Sequence, residues 1–440
     1  MKQILSLVAS ALIGLSAVAA MRVDFKVATD HADCLYRCGE TAAFTVTVTD
    51  RLGKPLKQGR FDARLDNFGH RVIRTEQIDL AKGNPFTLKA KMEEPGFLRL
   101  TVTSADKNLV INRYRNLTSL VWGVAYEPEK IRPGASDPAD FDAWWAAQVK
   151  KLDATVPIDV RMDLVPAKSK GACNYYAISF ATCQGRRVYG WLSRPKNLAK
   201  GPYPVGVSVP GAGIGACGTD IAAGRVSLTL NVHSYPQPGN AAARQAAYAA
   251  QDAKFAAPLG VGRYCVAGIS KSREDYFYYA SLLGINRAVN WLWSQPWVDK
   301  RHFTYQGTSQ GGGFGFMLTG LNGHFTRSCI YVPAITDLLG FRQGDRQSGW
   351  PQLTESQTPE GRATAEKWAP YYDGVNFAAR ITCPVRVVAG FADCTCSPAA
   401  VYAAYNRIPS KDKKILHGIG MSHSVFGHFY RDLGRWQRER

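Results

Sequence analysis

Beyond residue 175, runs of apolar strand pattern alternate with helical patterns, most evidently the helical pattern at residues 276–293. An opening hairpin followed by this alternation predicts an α/β fold, with a mostly parallel sheet covered by helices on both faces. In such sheets the functional groups lie on the turns that follow the strands. The predicted strands are residues 175–180, 188–193, 204–209, 227–232, 303–306, 329–332, 385–389 and 414–417.

The preceding region has a different pattern. Residues 21–125 contain short runs of period-two alternation, such as 43–48 and 97–102, separated by Gly, Asp and Asn. This pattern predicts a smaller all-β, Ig-like sandwich. A chain of 440 residues is longer than one compact core usually grows, so we expect a β-sandwich domain at 21–125 and an α/β domain at 126–440. The sandwich is interpreted as a spacer or packing domain, with a sugar- or partner-binding module as the alternative.

A Pro-rich join at residues 126–134 leads to a predicted helix start at Ser136-Asp137-Pro138. The helix that follows places four large apolar side chains on one side, a pattern typical of packing: Phe141, Trp144, Trp145 and Val149.

The first twenty residues resemble a secretory signal peptide. Lys2 precedes an apolar run that ends in Ala17-Val18-Ala19, the small-residue pattern that signal peptidases recognise. We therefore expect cleavage near Ala19–Ala20 and export to the periplasm, the cell surface or the medium; a membrane anchor is the alternative. No later stretch has enough consecutive apolar residues to span a bilayer.

The net charge of +19 would suit acidic glycans, anionic surfaces or nucleic acid. No basic cluster is interleaved with aromatic residues, so a solvated basic surface is the simpler interpretation and nucleic acid is not a predicted partner. Ten cysteines in an exported chain favour disulfides. Cys34–Cys38 is the first candidate pair and Cys173–Cys183 the second.

The segment Gly307-Thr308-Ser309-Gln310-Gly311 fits a nucleophile elbow, a strained turn between a strand and a helix. The two glycines are expected because a side chain at either position would clash with the strand or the helix. A serine needs a base and an orienting carboxylate, which follow it in the order Asp, His in this type of fold. Ser309 is therefore the predicted nucleophile; an ordinary Gly-rich turn is the alternative.

Asp393 directly follows the apolar run 385–392, where a carboxylate at a strand end can reach an imidazole. Asp373 and Asp412 compete for this role, but neither directly follows a strand, and a helix cap or a surface charge explains each more simply. We therefore assign Asp393 as the orienting group.

Three histidines follow Asp393 in the chain. His417 is predicted to lie within the last strand and His428 on the last helix. His423 lies on the loop between them and is the predicted general base.

The tetrahedral intermediate of acyl transfer needs two backbone donors. One is expected from the amide of Gln310. The other is assigned to Ala212, on the small-residue loop 210–215 that follows a predicted strand.

Several linked segments over residues 126–440 closely resemble the acetyl xylan esterase and cephalosporin C deacetylase family. These are Asn290-Trp291-Leu292, Trp297-Val298-Asp299, the elbow with Gly312, residues 372–381, and Gly390-Phe391-Ala392-Asp393 with Cys396, Pro398 and residues 403–406. The resemblance implies an α/β-hydrolase fold that deacetylates sugars, especially xylo-oligosaccharides, or small acetyl esters through an acyl-enzyme intermediate. It also implies the same triad and the same oxyanion amides.

Two segments depart from the family pattern at the expected pocket. Residues 232–236 replace the family's usual Arg-Gly-Gln, and Ala212 replaces a bulkier residue. His233 and Tyr235 are therefore predicted to contact substrate. The β domain is additional to the family's catalytic unit, so the oligomeric state stays open.

No cofactor or metal is predicted. Cys394 and Cys396 beside Asp393 suggest a metal site, but such sites usually gather more ligands at recognisable spacing. Two alternatives to a deacetylase are a hydrolase of another ester or a peptide, and a glycan-binding accessory protein with a decayed active site.

Overall fold

The structure, a computed structural model, describes residues 21–106, 109–110, 119–215 and 217–439. The predicted signal peptide, residues 1–20, lies outside the described residues. The N-terminal region is built of strands β1 Met21–Arg22, β2 Asp24–Thr29, β3 Leu35–Tyr36, β4 Thr41–Thr49, β5 Arg60–Asp66, β6 Val72–Asp79, β7 Phe86–Lys91, β8 Gly96–Ser104, β9 Leu109–Val110 and β10 Ser119–Tyr126.

Two main sheets form this region. One has the order β3-β10-β8-β5-β6 and the other β2-β4-β7, while β1 and β9 form a short parallel pair. Burial alternates along β4 and β5, so each strand turns one apolar face inward, including Phe44 and Val46 on β4 and Phe61 on β5. The predicted all-β architecture is confirmed, with mostly antiparallel pairing; the domain boundary at residues 125 and 126 stays a prediction.

The rest of the chain alternates strands and helices. The strands are β11 Arg161–Leu164, β12 Cys173–Ala181, β13 Arg187–Pro195, β14 Tyr203–Val209, β15 Val226–Leu230, β16 Val298–Thr308, β17 Arg327–Tyr331, β18 Val385–Gly390 and β19 Lys413–Gly418. The helices are α1 Phe141–Thr155, α2 Ala241–Phe255, α3 Phe277–Trp293, α4 Gln310–Leu321, α5 Pro359–Trp368, α6 Gly374–Ala378, α7 Pro398–Asn406 and α8 Gly427–Trp436.

The strands form one nine-stranded sheet in the order β11-β12-β13-β15-β14-β16-β17-β18-β19. The three pairs from β11 to β15 are antiparallel, and the five pairs from β15 to β19 are parallel. Every residue of β15 is buried, as expected of a strand covered on both faces. The predicted α/β fold is confirmed, and β14, β16, β18 and β19 bring their carboxyl ends to one edge of the sheet.

The predicted disulfide candidates are wrong in this structure, in which Cys34, Cys38, Cys173 and Cys183 are all free thiols. Cys173 begins β12 and Cys183 follows its end. An extended strand rises about 3.3 Å per residue, so the two ends lie far beyond the ~6 Å Cα separation of a disulfide. Within the described ranges, no helix is both long and apolar enough to cross a membrane.

Candidate active site

Ser309 lies at the sharp turn between β16 and α4, with backbone angles φ 59° and ψ −120°. Residues other than glycine rarely adopt this backbone conformation, which costs about 1–3 kcal/mol and persists only when the surrounding structure holds it. A methyl group on Gly307 would lie 2.3 Å from the carbonyl oxygen of Gly311, and one on Gly311 would lie 1.9 Å from the carbonyl oxygen of Val209. Both glycines are therefore required, as the elbow pattern predicts.

Asp393 and His423 reach Ser309 from loops that follow two other strands, β18 and β19. Asp393 follows β18 and is fully buried, and His423 lies on the loop between β19 and α8. The Nδ1 atom of His423 lies 2.8 Å from Oδ2 of Asp393, and its Nε2 atom lies 2.9 Å from Oγ of Ser309. The other carboxylate oxygen, Oδ1, accepts the backbone N–H groups of Thr395 at 2.8 Å and Cys396 at 2.9 Å. The structure thus brings the three predicted triad residues into one hydrogen-bonded chain.

This arrangement selects one tautomer of the imidazole. A carboxylate can only accept a hydrogen bond, so Nδ1 of His423 carries the proton that is donated to Asp393. The Nε2 atom is then free to accept the hydroxyl proton of Ser309. Chemically, the chain can generate a nucleophilic alkoxide at Ser309 and stabilise the imidazolium that forms.

The competing carboxylates are committed elsewhere. Asp373 caps α6 and accepts the backbone N–H groups of Asp337 and Leu338, both at 2.7 Å. Burial, together with the neighbouring Asp337, raises the pKa of Asp373 to about 7. The exposed Asp412 forms an ion pair with Arg386 at 2.7 Å. These positions agree with the predicted cap and surface charge.

The competing histidines also lie where the sequence predicts. His417 is part of β19, and its Nε2 atom lies 2.7 Å from the hydroxyl of Tyr402. His428 lies on α8.

Gln310, the first residue of α4, is buried and connects the elbow to the predicted oxyanion loop. Its side-chain Nε2 donates to the carbonyl oxygen of Pro210 at 3.3 Å, while its Oε1 accepts the hydroxyls of Tyr264 and Tyr278, both at 2.7 Å. A methyl group on Gly211 would lie 3.9 Å from Cβ of Ser309, so the loop passes directly beside the nucleophile. This placement is compatible with the predicted amide donors, which stay predictions.

Ala212 lies on the exposed part of that loop. Tyr264 and Tyr278, which support Gln310, were not predicted as part of the site. They lie 46 and 32 positions before Gln310, and no sequence spacing links them to it.

His233, predicted to contact substrate, is 1% exposed and lies behind the loop. Gln251 accepts from the backbone N–H of Ser234 through Oε1, so its amide Nε2 donates to Nδ1 of His233 at 2.8 Å. Nε2 of His233 therefore carries a proton and donates it to the carbonyl oxygen of Gly213 at 3.1 Å. Both ring nitrogens are occupied, so His233 supports the loop in this structure. The half-buried Tyr235 stacks on it at 5.3 Å, and its contact with substrate stays a prediction.

Because Nδ1 of His233 receives a hydrogen bond, protonation would break this network. Burial lowers the pKa of His233 to about 4, from 6.5. The unfolded chain therefore binds this proton first, and the stabilising contribution, complete above pH 6.5, is lost as the pH falls towards 4. Between pH 6.5 and pH 4, we expect His233 to contribute a slope approaching about 1.4 kcal/mol per pH unit to the free energy of unfolding.

Urea unfolding of the wild type and of His233→Phe at several pH values between 7 and 4.5 measures this contribution. In the variant, the free energy of unfolding should depend less steeply on pH, by the equivalent of about one proton taken up on unfolding. Parallel curves would show that His233 titrates normally in the folded protein.

Asp393, Cys396 and His423 have potential ligand atoms within 4.8 Å of one another. The carboxylate and the imidazole already bond to each other and to the groups described above. Burial raises the pKa of the Cys396 thiol well above its usual range, so the thiolate that a metal prefers is disfavoured. The neighbouring Cys394 is exposed and lies 3.6 Å from the guanidinium of Arg99.

Comparisons with known proteins identify the family of this chain. The acetyl xylan esterase (AXE1) family model matches residues 126–439. The acetyl esterase Axe7A of Xylanibacter ruminicola is 28% identical over 401 residues, which cover 89% of this chain and 84% of that protein.

Two solved structures share the fold. An acetyl xylan esterase from Paenibacillus sp. R4 has a TM-score of 0.58 at 21% identity, covering 71% of this chain and 98% of its own. Acetyl xylan esterase 1 from Thermoanaerobacterium sp. JW/SL YS485 has a TM-score of 0.57 at 20% identity, covering 71% and 96%. Since the match to the family model covers well over half of this chain, the chain belongs to the acetyl xylan esterase (AXE1) family and is a carboxylic ester hydrolase.

Proposed function

We propose that the protein removes acetyl groups from acetylated carbohydrates, such as xylo-oligosaccharides, with Ser309 as nucleophile, His423 as general base and Asp393 as the orienting carboxylate. The hydrogen-bonded chain from Asp393 through His423 to Ser309 is the observation that carries the proposal. The activities for which the relatives are named, acetyl esterase and acetyl xylan esterase, support the choice of acyl group.

The reaction proceeds in two half-reactions. Nε2 of His423 takes the hydroxyl proton as Oγ of Ser309 attacks the acetyl carbonyl carbon, and the Gln310 and Ala212 amides receive the oxyanion. The bond from the carbonyl carbon to the sugar oxygen breaks, and the imidazolium protonates that oxygen. A water molecule, deprotonated by His423, then attacks the acetyl-enzyme, and acetate leaves as Ser309 regains its proton.

The exposure of the site suits an ester on a bulky alcohol. Ser309 is half-buried, and 31% of the His423 side chain is exposed. Gly211 and Ala212, on the neighbouring loop, are also exposed. A carbohydrate can therefore remain outside while its acetyl group reaches the nucleophile.

A series of p-nitrophenyl esters from acetate to octanoate tests the preference for the acyl group. Acetate release from acetylated xylo-oligosaccharides tests whether the alcohol part of the ester can be a carbohydrate. We expect kcat/KM to be highest for the acetate ester and to fall by at least about tenfold by octanoate, because a small acyl site excludes added methylenes. Preference for the long chains would contradict the acetyl proposal, and failure on acetylated glycans alone would contradict only the carbohydrate assignment.

A further inference from the structure

We propose that the N-terminal β region positions the two loops that carry the orienting carboxylate, Asp393, and the general base, His423. The acid loop is residues 391–397, between β18 and α7, and the base loop is residues 419–426, between β19 and α8. This inference rests on the proposed triad. It assigns a role in catalysis to residues that precede the segment matched by the family model, which begins at residue 126.

Trp122 of β10 lies against the base loop. Gly420 has φ 66°, and a methyl group there would lie 2.5 Å from Cζ3 of the Trp122 indole. The ring therefore packs directly on the main chain three residues before His423. Loss of the indole would leave a space into which the base loop can move.

The neighbouring residue, Gly123, lies against the acid loop. A methyl group on Gly123 would lie 1.9 Å from the carbonyl oxygen of Phe391, two residues before Asp393. The Phe391 ring packs edge-on against Phe97 of β8, with centroids 5.1 Å apart. Adjacent residues of β10 thus contact both loops.

Arg99 of β8 also contacts the acid loop. Its Nη1 atom lies 3.6 Å from Sγ of Cys394, the residue after Asp393. Two bonds to the fully buried Asp66, at 2.8 and 2.9 Å, fix the guanidinium. A planar guanidinium held by both carboxylate oxygens is a rigid contact rather than a mobile surface charge.

The two loops are also bonded to each other. The backbone N–H of Ala392 donates to the carbonyl oxygen of Met421 in the base loop at 3.0 Å, and that of Phe391 donates to the carbonyl oxygen of Gly418, the last residue of β19, at 2.9 Å. A displacement at β10 therefore acts on Asp393 and His423 together. Because a shift of about 1 Å in catalytic geometry can lower a rate ~100-fold, contacts of this kind have a measurable kinetic effect.

Kinetics of Trp122→Ala in the full chain test the proposal. We expect kcat for p-nitrophenyl acetate to fall about 10- to 100-fold while KM changes by less than about threefold, because the loops move but the substrate contacts remain. Trp122→Phe, which keeps an aromatic ring against Gly420, should recover most of kcat. The rate at which a fluorophosphonate labels the protein should fall with kcat, and this readout needs no assumption about the natural acyl group or sugar.

Val46→Ala is the matched control, because Val46 is buried in β4 of the other sheet and pairs with Val27 and Phe86. It should lower the melting temperature and leave kcat at 25 °C unchanged. Equal kcat in Trp122→Ala and wild type, or loss of kcat in both variants in step with melting temperature, would overturn the proposal. If Trp122→Ala does not fold, Gly123→Ala gives the same test, since it separates β10 from Phe391.

Discussion

Replacing Ser309 with alanine is expected to lower kcat for acetyl ester hydrolysis by ~10⁴-fold or more, because no oxygen remains to form the acyl-enzyme. Acetate release from an acetylated xylo-oligosaccharide, measured beside the wild type, gives the comparison. The fold should persist, since alanine leaves both elbow glycines unchanged, and circular dichroism checks this.

Ser424→Ala is the control for the first prediction. Ser424 is exposed and lies next to His423 in the chain, without a role in the hydrogen-bonded chain described above. We expect its kcat to stay within a few-fold of the wild type. Acetate release by Ser309→Ala at a rate near that of the wild type would remove Ser309 from the mechanism.

Asp393→Asn is expected to lower kcat by about 10⁴-fold, through the tautomer of His423. The backbone N–H groups of Thr395 and Cys396 require an acceptor at the position of Oδ1, so the asparagine carbonyl oxygen would take that place. The amide NH₂ would then face Nδ1 and leave the ring proton on Nε2, where it cannot accept from Ser309. A neutral amide also stabilises an imidazolium less than a carboxylate does.

The matched control is Asp412→Asn, which removes an exposed carboxylate charge from the ion pair with Arg386. It should leave kcat within about twofold of the wild-type value. Both variants are compared with the wild type by measuring kcat and kcat/KM as functions of pH. If Asp412→Asn lost activity and Asp393→Asn did not, the assignment of the carboxylate would be wrong.

Much of the nine-stranded sheet could be predicted from local sequence pattern. All eight predicted strands occur in the sheet, because buried strands and the punctuation between them are local properties of the sequence. The exposed edge strand β11 was missed, since it has no buried residue and no apolar run. Asp393 and His423 could be selected because strand ends in a parallel sheet meet at one edge.

Long-range packing could not be predicted in the same way. His233 was expected to contact substrate, but Gln251 on α2 and the carbonyl group of Gly213 occupy its ring nitrogens. Nothing in the spacing of these residues indicates that they meet. The contact of Trp122 with Gly420 joins residues almost three hundred positions apart, so the sequence allowed only a spacer or a binding module for the β region. The Cys173–Cys183 pair does not form because an extended strand separates the two thiols.

Mass-spectrometric mapping of the residue that a fluorophosphonate labels shows which side chain is the nucleophile. We expect one adduct, on the peptide that contains Ser309, formed more slowly in Asp393→Asn and absent in Ser309→Ala. An adduct on a different residue, together with retained acetyl ester hydrolysis in Ser309→Ala, would contradict this assignment.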